Sequence, residues 1–248
     1  MIHNTKGIVI RSVRYGETSL VVTVFTELFG VQTYMVNGVR TSKKTGSKAA
    51  LYQPSSILDM EVYHSDQKAM HRIKECNWDY LYKNILTDVV KNSIAMFMIE
   101  LLQKTLKQPE ENTDLFYFCE DALQQLDEAP AAVAANFALF FSLQLTQLLG
   151  FRFSDMDFEI GIADELYLDL QEGIFTTNAP THTFYIGKED ALITSELLKI
   201  MQPHELSQVK MNHHKRRQLL LKYMDYYALH IQDFGQLKTL QVLHELLG

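Results

Sequence analysis

The side chains with the clearest chemistry in this sequence are the cations near its N-terminus. The whole chain carries a formal net charge of −7, yet between residues 6 and 48 seven Lys and Arg oppose only two Glu. These cations are Lys6, Arg11, Arg14, Arg40, Lys43, Lys44 and Lys48. Because Lys and Arg neutralise phosphates and release counterions, the cluster predicts a polyanionic ligand. For the cations of residues 40–48, a solvated loop is the alternative.

A second group of cations lies near the C-terminus, at the start of a predicted helix. Lys215, Arg216 and Arg217 are consecutive there, where the helix macrodipole disfavours positive charge by roughly a few tenths of a kcal/mol per residue. An anionic partner would explain this placement. Pairing with the acidic middle of the chain explains it equally well, since residues 151–200 hold three Lys and Arg against ten Asp and Glu.

Patterns typical of catalysis and of metal binding are missing from the sequence. It contains no HExxH, GxSxG or GxGxxG motif, and residues 38–48 lack the Gly-Lys-Ser/Thr of a P-loop. His213 and His214 are adjacent, so on a helix their rings point about 100° apart and do not easily share one ion. The acidic pairs of residues 155–157 and 164–165 are typical of a solvated surface. We therefore expect a binding protein without metal or cofactor, and not an enzyme.

Cysteine content and hydropathy favour a cytoplasmic protein. Cys76 and Cys119 are the two cysteines, they lie far apart, and they form no CxxC pair. The N-terminus lacks the apolar core of a signal peptide, and no run approaches the roughly 18 apolar residues of a membrane span.

The N-terminal cations lie among five short segments with β-type composition and turns between them. The predicted strands are Ile8–Val13, Ser19–Thr26, Val31–Val36, Ser56–Tyr63 and Met70–Trp78. Turn signals follow at Tyr15-Gly16, Gly30 and Asn37-Gly38. Five such strands in so short a stretch predict a small closed or partly open β-barrel.

Three tyrosines near these cations are candidates for stacking on bases, which is worth about 1–3 kcal/mol per base. They are Tyr15, Tyr34 and Tyr52. Burial in the barrel or on its sheet is an equally good interpretation of each. Phe25 is assigned to the core, because both faces of its strand are apolar.

After Trp78 the hydrophobic period changes to that of helices. The predicted helices are Asp88–Lys107, Thr113–Leu126, Ala131–Leu149, Asp190–Met201, Asn212–Ile231 and Leu237–Leu247. Residues 151–188 interrupt them with glycines and two short β-type runs, Leu166–Leu170 and Thr183–Ile186. The fold class predicted is α+β multidomain, with a β-barrel followed by a helical domain that carries a small insert.

The order of several short motifs resembles the RecO family, bacterial recombination mediators of the RecF pathway. GIVIR begins at Gly7, Tyr15-Gly16-Glu17 follows, and then VVTVFTELFG, Gly38-Val39-Arg40 and Leu51-Tyr52-Gln53-Pro54 come in the family's order and spacing. A weaker likeness covers residues 216–247, with an Arg-rich helix start and Gly235-Gln236-Leu237-Lys238.

This resemblance implies both architecture and function. The expected domains are an OB-fold over residues 1–80, a helical domain over 81–150 and 189–248, and a zinc-ribbon-like insert over 151–188. RecO-like proteins bind single- and double-stranded DNA, anneal complementary strands, work with RecR, and help to load RecA onto strands coated by single-strand binding protein (SSB). They also bind the acidic C-terminal tail of SSB through the helical domain. A cytoplasmic, nucleoid-associated protein of DNA damage repair is therefore expected.

One departure from the family concerns zinc. Many members carry four cysteines in the insert, whereas Phe151–Lys188 contains none, so the insert is expected to lack zinc ligands. We expect it to be held by apolar packing instead, of Phe158, Ile160, Leu166, Leu168, Phe175, Phe184 and Ile186.

The expected DNA-binding residues all belong to the barrel. They are Arg11, Arg14, Arg40, Lys43, Lys44 and Lys48. The SSB tail ends in an aromatic residue and a carboxylate, which need an apolar slot beside a cation. Leu219–Leu221 could provide the slot, and the expected cations are Arg216, Arg217, Lys222 and Lys238. The alternative function is a scaffold whose barrel binds a protein, with incidental DNA contact. A metal-dependent nuclease that uses the acidic insert ranks third.

Overall fold

The N-terminal strands close into a five-stranded, OB-like barrel in a computed structural model that describes residues 1–39, 46–65, 67–154, 156 and 164–246. The strands are Ile2–Tyr15 (β1), Ser19–Thr26 (β2), Gly30–Val36 (β3), Ile57–Tyr63 (β4) and His71–Tyr80 (β5). Their order around the barrel is β1-β2-β3-β5-β4, and the parallel contact between β3 and β5 closes it. The predicted barrel is thus confirmed.

Alternation along the strands explains the barrel core. Val22, Val24 and Tyr34 are completely buried, and they meet Leu58 and Met60 of β4 inside the barrel. Between β3 and β4 lies a short helix, Gly46–Leu51 (α1), which was not predicted.

The chain divides into two compact units. One comprises Met1–Asp88 and Ile99–Asp127, and the other Val89–Met98 and Glu128–Gly248. Helix α2 (Val89–Thr105) contributes residues to both. The domain boundaries expected from the sequence stay a prediction.

The first unit adds helix α3 (Thr113–Glu128) to the barrel. Phe116 of α3 packs edge-on against Phe25 of β2, with ring centroids 5.5 Å apart, and both side chains are buried. The core assignment of Phe25 is confirmed.

The second unit is helical around α4 (Ala131–Leu148). The further helices are Lys188–Lys199 (α5), a 3-10 helix at Pro203–Gln208, His213–His230 (α6) and Thr239–Leu246 (α7). Tyr227 of α6 donates from its hydroxyl to the Ser142 carbonyl of α4 at 2.7 Å. Among the described helices, α4 is long and apolar enough to cross a membrane, but 67% of its residues are buried inside the protein. It therefore has the character of a core helix.

Three short antiparallel strands occupy the predicted insert. They are Tyr167–Asp169 (β6), Ile174–Thr176 (β7) and Tyr185–Ile186 (β8), in the order β7-β6-β8. Of the expected packing residues, Leu166, Leu168, Phe175 and Ile186 are buried, whereas Phe184 is exposed. Phe158 and Ile160 lie outside the described residues. The likeness of the insert to a zinc ribbon stays a prediction.

Candidate functional site

The outer face of the barrel sheet brings cations from two distant parts of the chain onto one surface. Val22 and Tyr34 point inward, so their strand neighbours Val21 and Met35 point outward. Met35 lies opposite Arg72 of β5. The guanidinium of Arg72 therefore belongs to the outer face.

Cations line a groove of about 490 Å³ formed by residues of β3, β5 and α1, which reaches from outward side chains such as Met35 to residues packed on the barrel core. Lys48 of α1 and the two cations Arg72 and Lys74 of β5 are among its lining residues. Met35 and Tyr52 supply apolar surface, and the one carboxylate among the described lining residues is Glu75.

A second pocket, of about 850 Å³, continues this groove because the two share Met35 and Arg72. It adds the ammonium of Lys68 and the exposed side chains of Tyr63 and Met70. We call the two pockets together the barrel groove. Cations beside exposed apolar and aromatic side chains are the combination that single-stranded nucleic acid needs for phosphate contact and base stacking.

The cations of the barrel groove differ in how they are paired. Lys74 is held by the Glu61 carboxylate at 2.8 Å, which raises the pKa of the Lys74 ammonium. Lys68 and Arg72 form no ion pair with a described carboxylate. Their charge is therefore more available to an anionic ligand than that of Lys74.

The residues predicted to bind DNA do not all share this surface. Lys48 lies in the barrel groove. Arg11 pairs with Thr23, an outward residue of β2, so it lies on the same outer face. Arg14 lies opposite the buried Leu20, so its side chain starts from the inner face of the sheet and not from the outer one. Arg14 is nevertheless exposed. Arg40, Lys43 and Lys44 lie outside the described residues.

Lys6 belongs to the basic N-terminal cluster of the sequence, yet in the structure it forms ion pairs within the protein. Its ammonium lies 2.8 Å from the Glu120 carboxylate of α3 and 3.0 Å from that of Asp79. The hydrogen bond to Glu120 is the largest influence raising the pKa of the Lys6 ammonium. This cation is therefore already neutralised within its own unit.

The tyrosine candidates separate into core and surface. Tyr34 is completely buried and Tyr52 is 5% exposed, so stacking of bases on these two rings is ruled out in this conformation. Tyr15 is 60% exposed at the end of β1 and keeps that possibility.

Sequence reasoning missed Lys68, Arg72 and Lys74 as site residues. They lie outside the counted segment of residues 6–48, on or just before β5, and no sequence feature links that strand to the cations of residues 40–48. The parallel pairing of β3 with β5 brings them there. Such non-local pairing has no short-range sequence signal.

A separate pocket of about 230 Å³ lies within the helical unit. Its floor is apolar and is formed by Ala135, Ala138, Leu139, Leu220 and Leu243. Its rim carries Arg216, Arg217 and three histidines, namely His213, His214 and His244. We call this the helical pocket. No described lining residue is acidic, so an apolar ligand with a negative group fits it.

A buried amide holds Arg216 at this rim. Arg216 Nε donates to Asn136 Oδ1 at 2.8 Å, while the Asn136 amide donates to the Leu206 and Val209 carbonyls. Asn136 is neutral, and burial lowers the pKa of Arg216. The guanidinium is thus positioned without being neutralised by a described carboxylate.

The C-terminal cations differ in whether they pair within the chain. Lys215 pairs with Asp190 at 2.7 Å and Glu189 at 3.2 Å, so pairing within the chain accounts for it. Of the predicted tail-binding residues, the helical pocket brings together Arg216 and Arg217. Lys222 and Lys238 do not line it.

No cluster that could hold a metal ion exists among the described residues. This includes the adjacent His213 and His214, both of which belong to the rim of the helical pocket.

Two family models match the chain, one in each part. Recombination protein O N terminal covers residues 1–82, and Recombination protein O C terminal covers residues 86–157. A DNA repair protein RecO of Christiangramia forsetii is 34% identical over 248 residues, all of both chains. The chain belongs to the RecO family. A second RecO, of Flavobacterium johnsoniae, is 35% identical over 243 residues and 98% of each chain.

The RecO relatives cover both candidate sites. The barrel groove lies within the match to the N-terminal RecO model. Helices α6 and α7, which supply most of the helical pocket, lie beyond the match to the C-terminal model, but the full-length alignment to RecO of Christiangramia forsetii includes them.

Proposed function

We propose that this chain is a recombination mediator of RecF-pathway DNA repair that binds single- and double-stranded DNA and anneals complementary strands. With RecR it would assist RecA loading onto single strands coated by SSB. It acts without catalysis and in the cytoplasm. The observation that carries the proposal is the barrel groove, where Lys48, Lys68 and Arg72 surround exposed apolar side chains.

The groove suits a single strand better than a protein ligand. Arg72 and Lys68 supply phosphate contacts, and Tyr63 supplies a ring that is 47% exposed. Stacking on such a ring is tolerant of sequence, because every base has a π-face. Arg11 extends the positive surface across the outer face of the sheet, which would let a second strand approach and favour annealing.

Salt dependence tests this function directly. Fluorescence anisotropy of a labelled oligonucleotide with the full-length protein should show affinity that falls steeply with salt, with a slope of about −0.7 per phosphate contact. Annealing of two complementary oligonucleotides should accelerate at the same protein concentrations. Absence of oligonucleotide binding at 50 mM salt would contradict the proposal and favour the protein scaffold.

We also propose that the helical pocket receives the acidic C-terminal tail of SSB. The apolar floor at Leu139, Leu220 and Leu243 suits a terminal aromatic side chain, while Arg216 and Arg217 suit its carboxylate. Arg217→Glu should abolish binding of a tail peptide to the full-length protein. The matched control, Lys222→Glu, reverses a charge on the same helix outside the pocket and should leave binding intact.

A further inference from the structure

His244 has an unusual position among the cations of the helical pocket. It lies on α7, and its Nε2 is shielded from solvent without a hydrogen-bond partner among the described residues. The same ring lines the pocket beside Arg217. A shielded polar nitrogen without a partner, in a ring that lines a cavity, is a group that a ligand in that cavity could satisfy once the ring turns towards it.

The other titratable groups that line the pocket are all basic, and the neighbouring acid on the same helix, Glu245, is not among the lining residues. Helix α6 contributes His213, His214, Arg216 and Arg217 to the pocket. The residues from α4 that line it are Ala135, Ala138 and Leu139, which do not ionise, and Leu243 accompanies His244 from α7. In the empty pocket no described acid offsets a charge on the His244 ring.

We infer that His244 takes up a proton when a carboxylate enters the helical pocket, so that acidic peptides with an apolar end bind more tightly as the pH falls. This inference rests on the proposed peptide-binding role of the pocket. His244 would act with Arg217 as a second charged contact to the ligand carboxylate.

The charges around His244 determine whether peptide affinity rises or falls with pH. Burial, and then the nearby Arg217, lower the pKa of His244 below its ordinary value in the empty pocket. A carboxylate between the two residues favours the imidazolium and raises that pKa again. Between the two pKa values binding takes up a proton, and affinity rises by at most about tenfold per pH unit. Ligand carboxylates stay ionised above about pH 5.5, so they do not cause this change.

Isothermal titration calorimetry tests this with the full-length protein and the peptide Asp-Asp-Asp-Leu-Phe. We expect affinity to rise about tenfold or more between pH 8 and pH 6. Titrations at pH 7 in phosphate and in Tris should differ in enthalpy, because proton uptake draws on buffers with different ionisation heats. The same peptide with a C-terminal amide should lose most of its affinity and the buffer difference.

Variants of single histidines test whether His244 is the group that takes up the proton. His244→Gln should show no gain in affinity between pH 8 and pH 6. The control variant His204→Gln changes an exposed histidine that does not line the helical pocket and should keep the gain. A pH response that survives in His244→Gln, or binding independent of pH, would overturn the inference while leaving peptide binding in place. Failure of the peptide to bind at any pH would overturn both.

Discussion

At the scale of single residues, environment separates cations that the sequence presents as one cluster. Lys6 and Arg72 both lie on barrel strands, but Lys6 is held between Glu120 and Asp79, whereas Arg72 forms no ion pair with a described carboxylate. Net charge in a segment therefore indicates a polyanion partner without indicating which side chains meet it.

Lys6→Gln is expected to weaken the fold and not DNA binding. The substitution leaves the carboxylate of Glu120, which is mostly buried, without its cation, and we expect a loss of about 1–2 kcal/mol of unfolding free energy. Urea denaturation followed by circular dichroism measures this loss. Oligonucleotide affinity at equal salt should stay within twofold, and a larger fall would place Lys6 in the DNA site.

Asp127 is a heavily bonded carboxylate of the first unit. It is completely buried and accepts backbone N–H groups from Lys83, Asn84 and Ile85 at 2.7–2.8 Å. These bonds outweigh the cost of burial and lower the pKa of Asp127. They fix the start of the connection between β5 and α2.

Asp127→Asn should cost about 2–3 kcal/mol of unfolding free energy at pH 7, because the amide turns a donor towards a backbone N–H. The folded pKa lies below the unfolded one. The stabilisation is therefore complete above the unfolded pKa of about 3.9, and it is lost as pH falls through the folded pKa. Urea midpoints measured from pH 7 to pH 3 should converge for the two proteins, and a constant gap would contradict this assignment.

At the scale of elements, local pattern predicted most strands and helices but not their full extent. Ser19–Thr26 has the predicted bounds, because alternation there is strong. Strand β1 begins six residues before its predicted start, since residues 2–7 pair with β4 despite a polar composition. The 3-10 helix at Pro203–Gln208 and strand β7 had no periodic signal, because each is too short to show one.

The candidate sites were predicted less completely than the fold. Arg216 and Arg217 both line the helical pocket, while their predicted role in binding a peptide tail stays a prediction. His244 and Arg72 were not predicted, because each reaches its site through tertiary packing of elements distant in the chain. For Tyr34 and Tyr52 the sequence did not distinguish base stacking from burial in the core. The hydroxyl at one end of a tyrosine ring does not prevent its burial.

The turn between β2 and β3 gives a prediction at this scale. Gly30 has φ +60°, and a side chain there would collide with the backbone of Glu110. Gly30→Ala should therefore cost more than the roughly 1–2 kcal/mol of the left-handed conformation alone. Gly16→Ala is the matched control, with the same φ and no atom near the added carbon. Thermal unfolding should show the larger loss for Gly30→Ala, and equal losses would contradict the collision.

At the scale of the whole molecule, basic segments at both ends of an acidic chain serve different ligands in this account. We propose that Lys48, Lys68 and Arg72 of the barrel groove bind DNA phosphates, and that Arg216 and Arg217 of the helical pocket bind a peptide carboxylate. An overall charge of −7 limits non-specific attraction to DNA, so binding depends on these local surfaces.

Charge reversal in the barrel groove tests the central claim most directly. The triple variant Lys48→Glu/Lys68→Glu/Arg72→Glu should bind single-stranded DNA at least tenfold more weakly in fluorescence anisotropy at 100 mM salt. The slope of log affinity against log salt should become less steep by about 2. Lys199→Glu, which reverses an exposed charge on α5, is the control. If the triple variant binds within twofold of the unaltered protein with an unchanged slope, the barrel groove is not the DNA site.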